Sequence, residues 1–333
     1  MSGRSSVYLN EEQREFVHKL QRSWLWRTEL PTWLLIITIY GGWFATVAWW
    51  KTLGLFPATL LLIWFSTWYM SLQHELLHGH PTRFKRLNQL FGLLPFSIWY
   101  PYGTYRDLHL KHHQDEDLTV PETDPESYYF TRRRWQHFSG VQRVLVRLRN
   151  TFPGRLLLTP ILTMRWTVLN ILESFRSGNR PAIAMWVVHL VLLVPVLGWL
   201  VQHDFSVIYY LLAVTWPMLA MTKVRSFFEH RAAEDPEART VINEAGMFWR
   251  LLFLNLNYHS VLHDLPRVPW YGLPTVYRAY KEEYLKRNQG FFVNGYGELM
   301  REHLIKPIKV EINPFFPDGR LAQDTLQQEK AHE

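Results

Sequence analysis

Apolar residues in this chain run in blocks rather than alternating with polar ones, and four blocks are long enough to cross a lipid bilayer. They lie at 32–50, 53–72, 182–201 and 206–222. A spanning helix needs about 20 mostly apolar residues, within a range of about 17 to 25. Only Lys51 and Thr52 separate the first two blocks, and only Gln202, His203, Asp204 and Phe205 separate the last two. The pattern therefore predicts two helical hairpins. A shorter run at 91–103 carries Pro95 and Pro101; it is too short to span and is expected to lie in the interface or to re-enter. The alternative, a set of buried helices in a soluble protein, fits these lengths and spacings poorly.

The fold class expected is an all-α membrane protein: four transmembrane helices as two hairpins, with interfacial helices and a cytoplasmic histidine-rich cap. The boundaries are a cytoplasmic N-terminal segment at 1–30, an integral membrane domain at 31–275, and a cytoplasmic C-terminal segment at 276–333 with a polar tail from about 315. Arg22 and Arg27 precede the first block, Arg83, Lys85 and Arg86 follow the second, and the long connection is rich in arginine, including Arg132, Arg133 and Arg134. The hairpin tips hold a single lysine, Lys51. Positive charge favours the cytoplasmic side, so both termini and the connection are assigned there, in the cytoplasmic membrane of a bacterium.

Composition narrows the chemistry. Apolar residues make up 48% of the 333 and aromatics 16%, with 16 Trp, a load that suits membrane interfaces. A mean hydropathy of -0.14 leaves room for a sizeable water-facing part. With no cysteine, disulfides, thiolate-bound iron–sulfur clusters and covalently attached haem are excluded. The net charge of +7 suits anionic lipid or an acidic protein partner, and nothing resembles a nucleic-acid module.

Histidines gather where the apolar blocks end. HELLH places His74 and His78 at i, i+4, on one helical face. HLKHH does the same for His109, His112 and His113, and NYHSVLHD for His259 and His263. His230, in RSFFEHRA, lies beyond the fourth block. Imidazole is the commonest metal ligand near neutral pH and suits iron, copper, zinc and nickel. One such pair would be incidental; four groups on one side of a membrane point to a metal site. His189, alone inside a block, is assigned a hydrogen-bonded packing role.

HELLH, HLKHH, RSFFEHRA and NYHSVLHDLPRVPWYGLP together resemble the membrane fatty acid desaturase and hydroxylase superfamily of histidine-box di-iron enzymes, over roughly 30–275. The resemblance implies two Fe ions held by His74, His78, His109, His112, His113, His230, His259 and His263, with molecular oxygen as co-substrate. It implies a lipid or fatty-acyl substrate and an external electron donor such as a ferredoxin or small cytochrome, for which the Arg132–Arg134 run is a docking candidate. Desaturation is favoured; hydroxylation and oxidative decarboxylation at the same site are the alternatives. The family's third box usually reads HxxHH, and Leu262 stands at its middle histidine. His80, Asn255, Asn257 or Asp264 are candidates to fill that place. Glu75, Asp117 and Glu229, with Asp115 and Glu116, are candidates to accept from the outer N–H of the ligating imidazoles. A membrane zinc hydrolase, with Glu75 of HELLH as general base, is a further reading, which would leave the other clustered histidines without a role.

Overall fold

The computed structural model describes residues 6–113 and 115–320, the Asp115 side chain excepted. In chain order its principal helices are α1 (Glu11–Gln21), α2 (Leu30–Ala48), α3 (Leu55–Leu77), α4 (Lys85–Gly92), α5 (Tyr102–His112), α6 (Gly140–Arg149), α7 (Phe152–Arg176), α8 (Arg180–Gln202), α9 (Val207–Arg225) and α10 (His259–Asp264). Shorter helical turns link them. The described strands are two-residue pieces, β1 (Ile242–Asn243) and β2 (Phe292–Val293), which pair in parallel.

The hairpins form where the apolar pattern places them. Pro31 opens α2, where a missing N–H costs nothing. The turn into α3 uses Gly54 at φ 88, a region glycine enters without strain. Gly42 of α2 faces the Phe65 ring so closely that an added Cβ would sit 2.3 Å from it, so the two helices approach through a missing side chain. Asn179 caps α8 by accepting from the Ala182 N–H, and Pro181 occupies its first turn. The hairpin tips meet: Trp50 donates to the His203 carbonyl at 2.9 Å, and Lys51 reaches Asp204 at 2.5 Å. That ion pair is solvent-exposed and contributes little.

Among the described residues five helices, rather than four, are long and apolar enough to cross a membrane: α2, α3, α7, α8 and α9. The additional one, α7, occupies what the arginine content marks as a water-facing connection. Arg165 and Arg176 interrupt its apolar surface while Arg155 is buried, and much of that surface, including Leu157, Val168 and Leu172, faces outward. Its first residue, Phe152, packs on Phe227 and donates to the His303 carbonyl at 2.8 Å. Its last lies four positions before α8 begins.

The run at 91–103 packs inward: its middle, 93–101, is non-helical, and Phe96 is fully buried against Trp43, Tyr69 and Tyr40. Irregular backbone survives at such depth only if its carbonyls find donors. They do: Tyr40 donates to Phe91, Tyr69 and Gln73 to Gly92, Tyr210 to Phe96, and His189 to Ile98 at 2.7 Å. His189 thus has the hydrogen-bonded packing role its isolation suggested.

The C-terminal segment closes the cap. The Ile308 N–H donates to Asn150, the Phe130 N–H to Glu311, and the Asn313 amide to Thr119. The tail expected to fray from about 315 is pinned as far as Arg320, which pairs with Asp117 at 2.5 Å and Glu116 at 3.0 Å; its remainder lies outside the described residues. At the corner between α6 and α7, a Cβ on Gly154 would sit 1.8 Å from the Leu148 carbonyl oxygen. Overpacking typically costs about 1–3 kcal/mol, and backbone cannot swing aside. Gly154→Ala is expected at the upper end of that range, as a lowered melting temperature in detergent.

Candidate metal centre

The end of α3 presents His74 and, as its C-terminal cap, His78. The last turn of α5 presents His109 and His112, with His113 as cap. The segment after α9 brings His230, and α10 brings His259 and His263. Their imidazoles sort into two groups. His74, His78, His109 and His113 form one; His112, His230, His259 and His263 form the other; within each, the candidate ligand atoms lie within 4.8 Å of one another. The groups share a wall, since the His113 and His263 rings stack with centroids 4.2 Å apart. The consecutive residues His112 and His113 serve different groups. Every one of the eight is buried except His78 and His230, which are half-buried.

The nitrogen pattern fits metal ions better than hydrogen bonds. In the second group, Nε2 of His230 lies 3.0 Å from Nε2 of both His112 and His259, and Nε2 of His259 lies 3.1 Å from that of His263. In the first, Nε2 of His109 and of His113 are 3.0 Å apart. A ring nitrogen carries one hydrogen or one lone pair, and the Nε2 atoms of His230 and of His259 each face two neighbours, so these contacts cannot all be one-to-one hydrogen bonds. Both ring nitrogens of His74, and Nε2 of His78, are buried without a partner among the described residues. Two nitrogens each about 2.1 Å from one ion and at right angles would be about 3.0 Å apart.

Carboxylates behind the rings set the tautomers. His112 donates from Nδ1 to Asp124 and His109 from Nδ1 to Glu126, each at 2.9 Å, which turns the Nε2 lone pair inward. Burial, reinforced by neighbouring imidazoles, holds His78, His113, His230, His259 and His263 well below the usual histidine range, so they stand neutral, the ligating form. His112 differs: burial would lower it, but Asp124, Glu126 and Glu229 together outweigh burial and raise it to about 9. Burial pushes the Glu229 carboxyl up to about 7 against the pull of Arg225.

Asp124 and Glu126 were not among the expected acceptors, although they lie in the same acidic stretch, HHQDEDLTVPETDPES. The 3-10 turn at Asp115–Asp117 leads the chain onward before it folds back at 124–126. Asp117 instead pairs with Arg320, and Glu116 is exposed; the Asp115 side chain lies outside the described residues. Glu229 pairs with Arg225 at 2.8 Å and stands 3.7 Å from His259 Nδ1. Glu75 accepts the Trp270 N–H at 2.9 Å and lies 3.9 Å from His80, not poised as a free base.

Leu262 belongs to a buried apolar cluster with Val261, Leu265, Tyr258 and Tyr277. Of the candidates for its missing role, His80 is held by Glu29 at 2.7 Å. Asp264 pairs with Arg287 at 3.3 Å, and Asn255 bonds Arg250 and the Trp270 carbonyl. Asn257 donates to the Asn243 carbonyl, and its Oδ1 is buried without a partner among the described residues.

A cavity of about 500 Å³ opens beside the second group, reaching His230 and passing between α3, α5, α7 and α9. Against this geometry, a family model described as fatty acid desaturase matches residues 50–295. No curated protein is similar enough to the chain to count as a match.

Proposed function

The chain belongs to the fatty acid desaturase family and is an oxidoreductase, and on that premise we propose that it desaturates an alkyl or fatty-acyl chain at two irons held by the paired imidazole groups. The observation that carries this reading is the pair of adjoining four-imidazole groups with unpartnered nitrogens, set beside a cavity of ligand size. His74, His78, His109 and His113 would hold one ion; His112, His230, His259 and His263 would hold the other. Irons bound there, with molecular oxygen and donated electrons, supply the oxidising power to break an unactivated C–H bond.

The chain's own residues supply the rest. Asp124 and Glu126 hold His112 and His109 in the tautomer that faces inward. Met70, Leu108 and Trp166 line the cavity with apolar surface that excludes water from a bound chain. Asn257, whose Oδ1 is buried with no partner among the described residues, is our candidate to complete the second group, directly or through water. Asp124→Asn is expected to weaken metal binding about 10–100-fold, the usual cost of losing such an outer partner, measured by competition with a metallochromic chelator.

In the membrane, α2, α3, α8 and α9 cross as two hairpins. The helix α7 begins on the cap at Phe152 and ends beside the start of α8, which packs Met185 against Gly103 at the start of α5. Both its ends therefore lie at one face, and α7 runs along the interface with its exposed apolar side in lipid. Charge bias places that face in the cytoplasm. Arg132 and Arg133, exposed at the start of a short helix, are a docking site for an acidic electron-donor protein. Arg132→Glu with Arg133→Glu is expected to cut donor-supported turnover at least about tenfold at low salt, with membrane insertion unchanged.

The deciding experiment is expression in a host lacking the activity, followed by unbiased lipid profiling with and without His112→Ala. Lipids with a new double bond, absent in the variant, support desaturation; products carrying only added oxygen overturn it.

A further inference from the structure

The cavity beside His230 has a second wall that metal chemistry does not use. There Arg155, from the first turn of α7, is 1% exposed. Its Nε and Nη1 are buried with no partner among the described residues. Its guanidinium lies 4.1 Å from the centre of the Tyr128 ring and 5.1 Å from that of Phe227, stacked on aromatic faces that attract it without neutralising it. Lys223 and Arg149 line the same wall. The acidic residues of the cavity are engaged elsewhere: Asp124 and Glu126 with the imidazoles, Glu229 with Arg225. The local field is strong enough to act on a phenol: burial would raise Tyr128, but Arg155 and then Lys223 outweigh it and bring it down to about 7, so at neutral pH the phenol offers this wall of three cations only a fractional counter-charge.

A buried guanidinium with unmet donors is costly and persists where an anion completes it. Its planar fork matches a carboxylate or a phosphate. The same cavity is also lined by Met70, Leu108, Leu162 and Trp166, which suit a hydrocarbon. The occupant is therefore an amphiphile with a compact anionic end. A carrier thioester would present a neutral carbonyl to Arg155 and leave the cation uncompensated.

We propose that this cavity binds the carboxylate of an unesterified long-chain fatty acid, with Arg155 receiving the carboxylate and the chain extending along the apolar wall toward His230. The proposal rests on the lipid-oxidation reading above and names the substrate class for it.

The test is equilibrium binding of radiolabelled palmitate and its methyl ester to the full-length, metal-loaded protein in detergent without oxygen, with a long-chain alkyl phosphate as competitor. Palmitate is expected to bind at least tenfold more tightly than the ester. Arg155→Met should weaken palmitate at least tenfold, leave the ester unchanged, and melt at or above the wild-type temperature, because an uncompensated buried charge has been removed. Lys223→Gln should weaken palmitate less, in the same direction. Equal binding of acid and ester by the wild type overturns the proposal, as does unchanged palmitate binding in Arg155→Met. Displacement of palmitate by a tenfold lower concentration of the alkyl phosphate assigns the site to a lipid phosphate instead. A lowered melting temperature with loss of both ligands makes Arg155 a packing residue and also overturns it; if that variant does not fold, the wild-type comparison and Lys223→Gln decide. Acid-selective binding through Arg155 without any oxidised lipid in profiling would sink the activity and leave this site standing. Desaturated product formed equally by wild type and Arg155→Met would do the reverse.

Discussion

His263→Ala is expected to leave a folded protein carrying about one metal ion in place of two, with product formation reduced by more than a hundredfold. His263 is fully buried, and its ring meets His259, His230 and His112 in one group while stacking on His113 of the other. Losing an outer-sphere partner already costs about 10–100-fold, and removing one of four ligands should cost more. His78→Ala provides the complement, because it belongs to the other group. It should also retain about one ion and lose turnover. Elemental analysis of the purified variants, set beside lipid profiling, checks both. Full loading and wild-type turnover in either variant would remove that histidine from the site.

Stripping the metals is expected to be the largest perturbation of stability. The two groups bury imidazole nitrogens that find no partner among the described residues, including both of His74. Unmet buried polar groups favour unfolding. A ligand that binds only the folded state, held at a thousandfold excess over its Kd, stabilises by about 4 kcal/mol. At about 2–4 °C per kcal/mol for a chain of a few hundred residues, the chelated protein should melt about 10 °C lower. Ferrous iron added back under nitrogen should restore the loss. The pH dependence has a definite sign. Metal is displaced when protons occupy the ligating nitrogens, and burial holds His78, His113, His230, His259 and His263 well below 6.5. Loading of the first group should therefore survive acidification through pH 6, while the second group, which must displace the proton His112 holds up to about 9, should weaken sooner as pH falls. At neutral pH the proton that Asp124, Glu126 and Glu229 keep on His112 should be released as metal binds, and calorimetry in buffers of different ionisation enthalpy would detect it.

The sequence reveals the imidazole groups because helical periodicity places i and i+4 on one face, and each histidine pair is a short-range pattern. It does not reveal how the pairs are shared. His112 and His113 look equivalent in HLKHH, and only the approach of α10 and His230 divides them between groups. The acceptors show the same limit. Asp117 is nearer in sequence to the imidazoles, but Arg320 arrives from 203 residues away and takes it, while Asp124 returns to His112 through a loop. The apolar blocks identify α2, α3, α8 and α9 by hydropathy alone. The remaining candidate, α7, is hidden by its arginines, one of which is not a surface charge at all but turns inward over Tyr128. Leu262 reads as a vacancy in a motif, yet its side chain belongs to the apolar cluster behind α10.

The assignment of His112 and His113 to different groups has a mechanical corollary. Neighbouring Cα atoms across a trans peptide are about 3.8 Å apart, a length no thermal motion of the fold alters. The two groups are thus yoked by a covalent link. Breathing of the helices can pivot the pair about the end of α5, but at that point it cannot draw one centre away from the other.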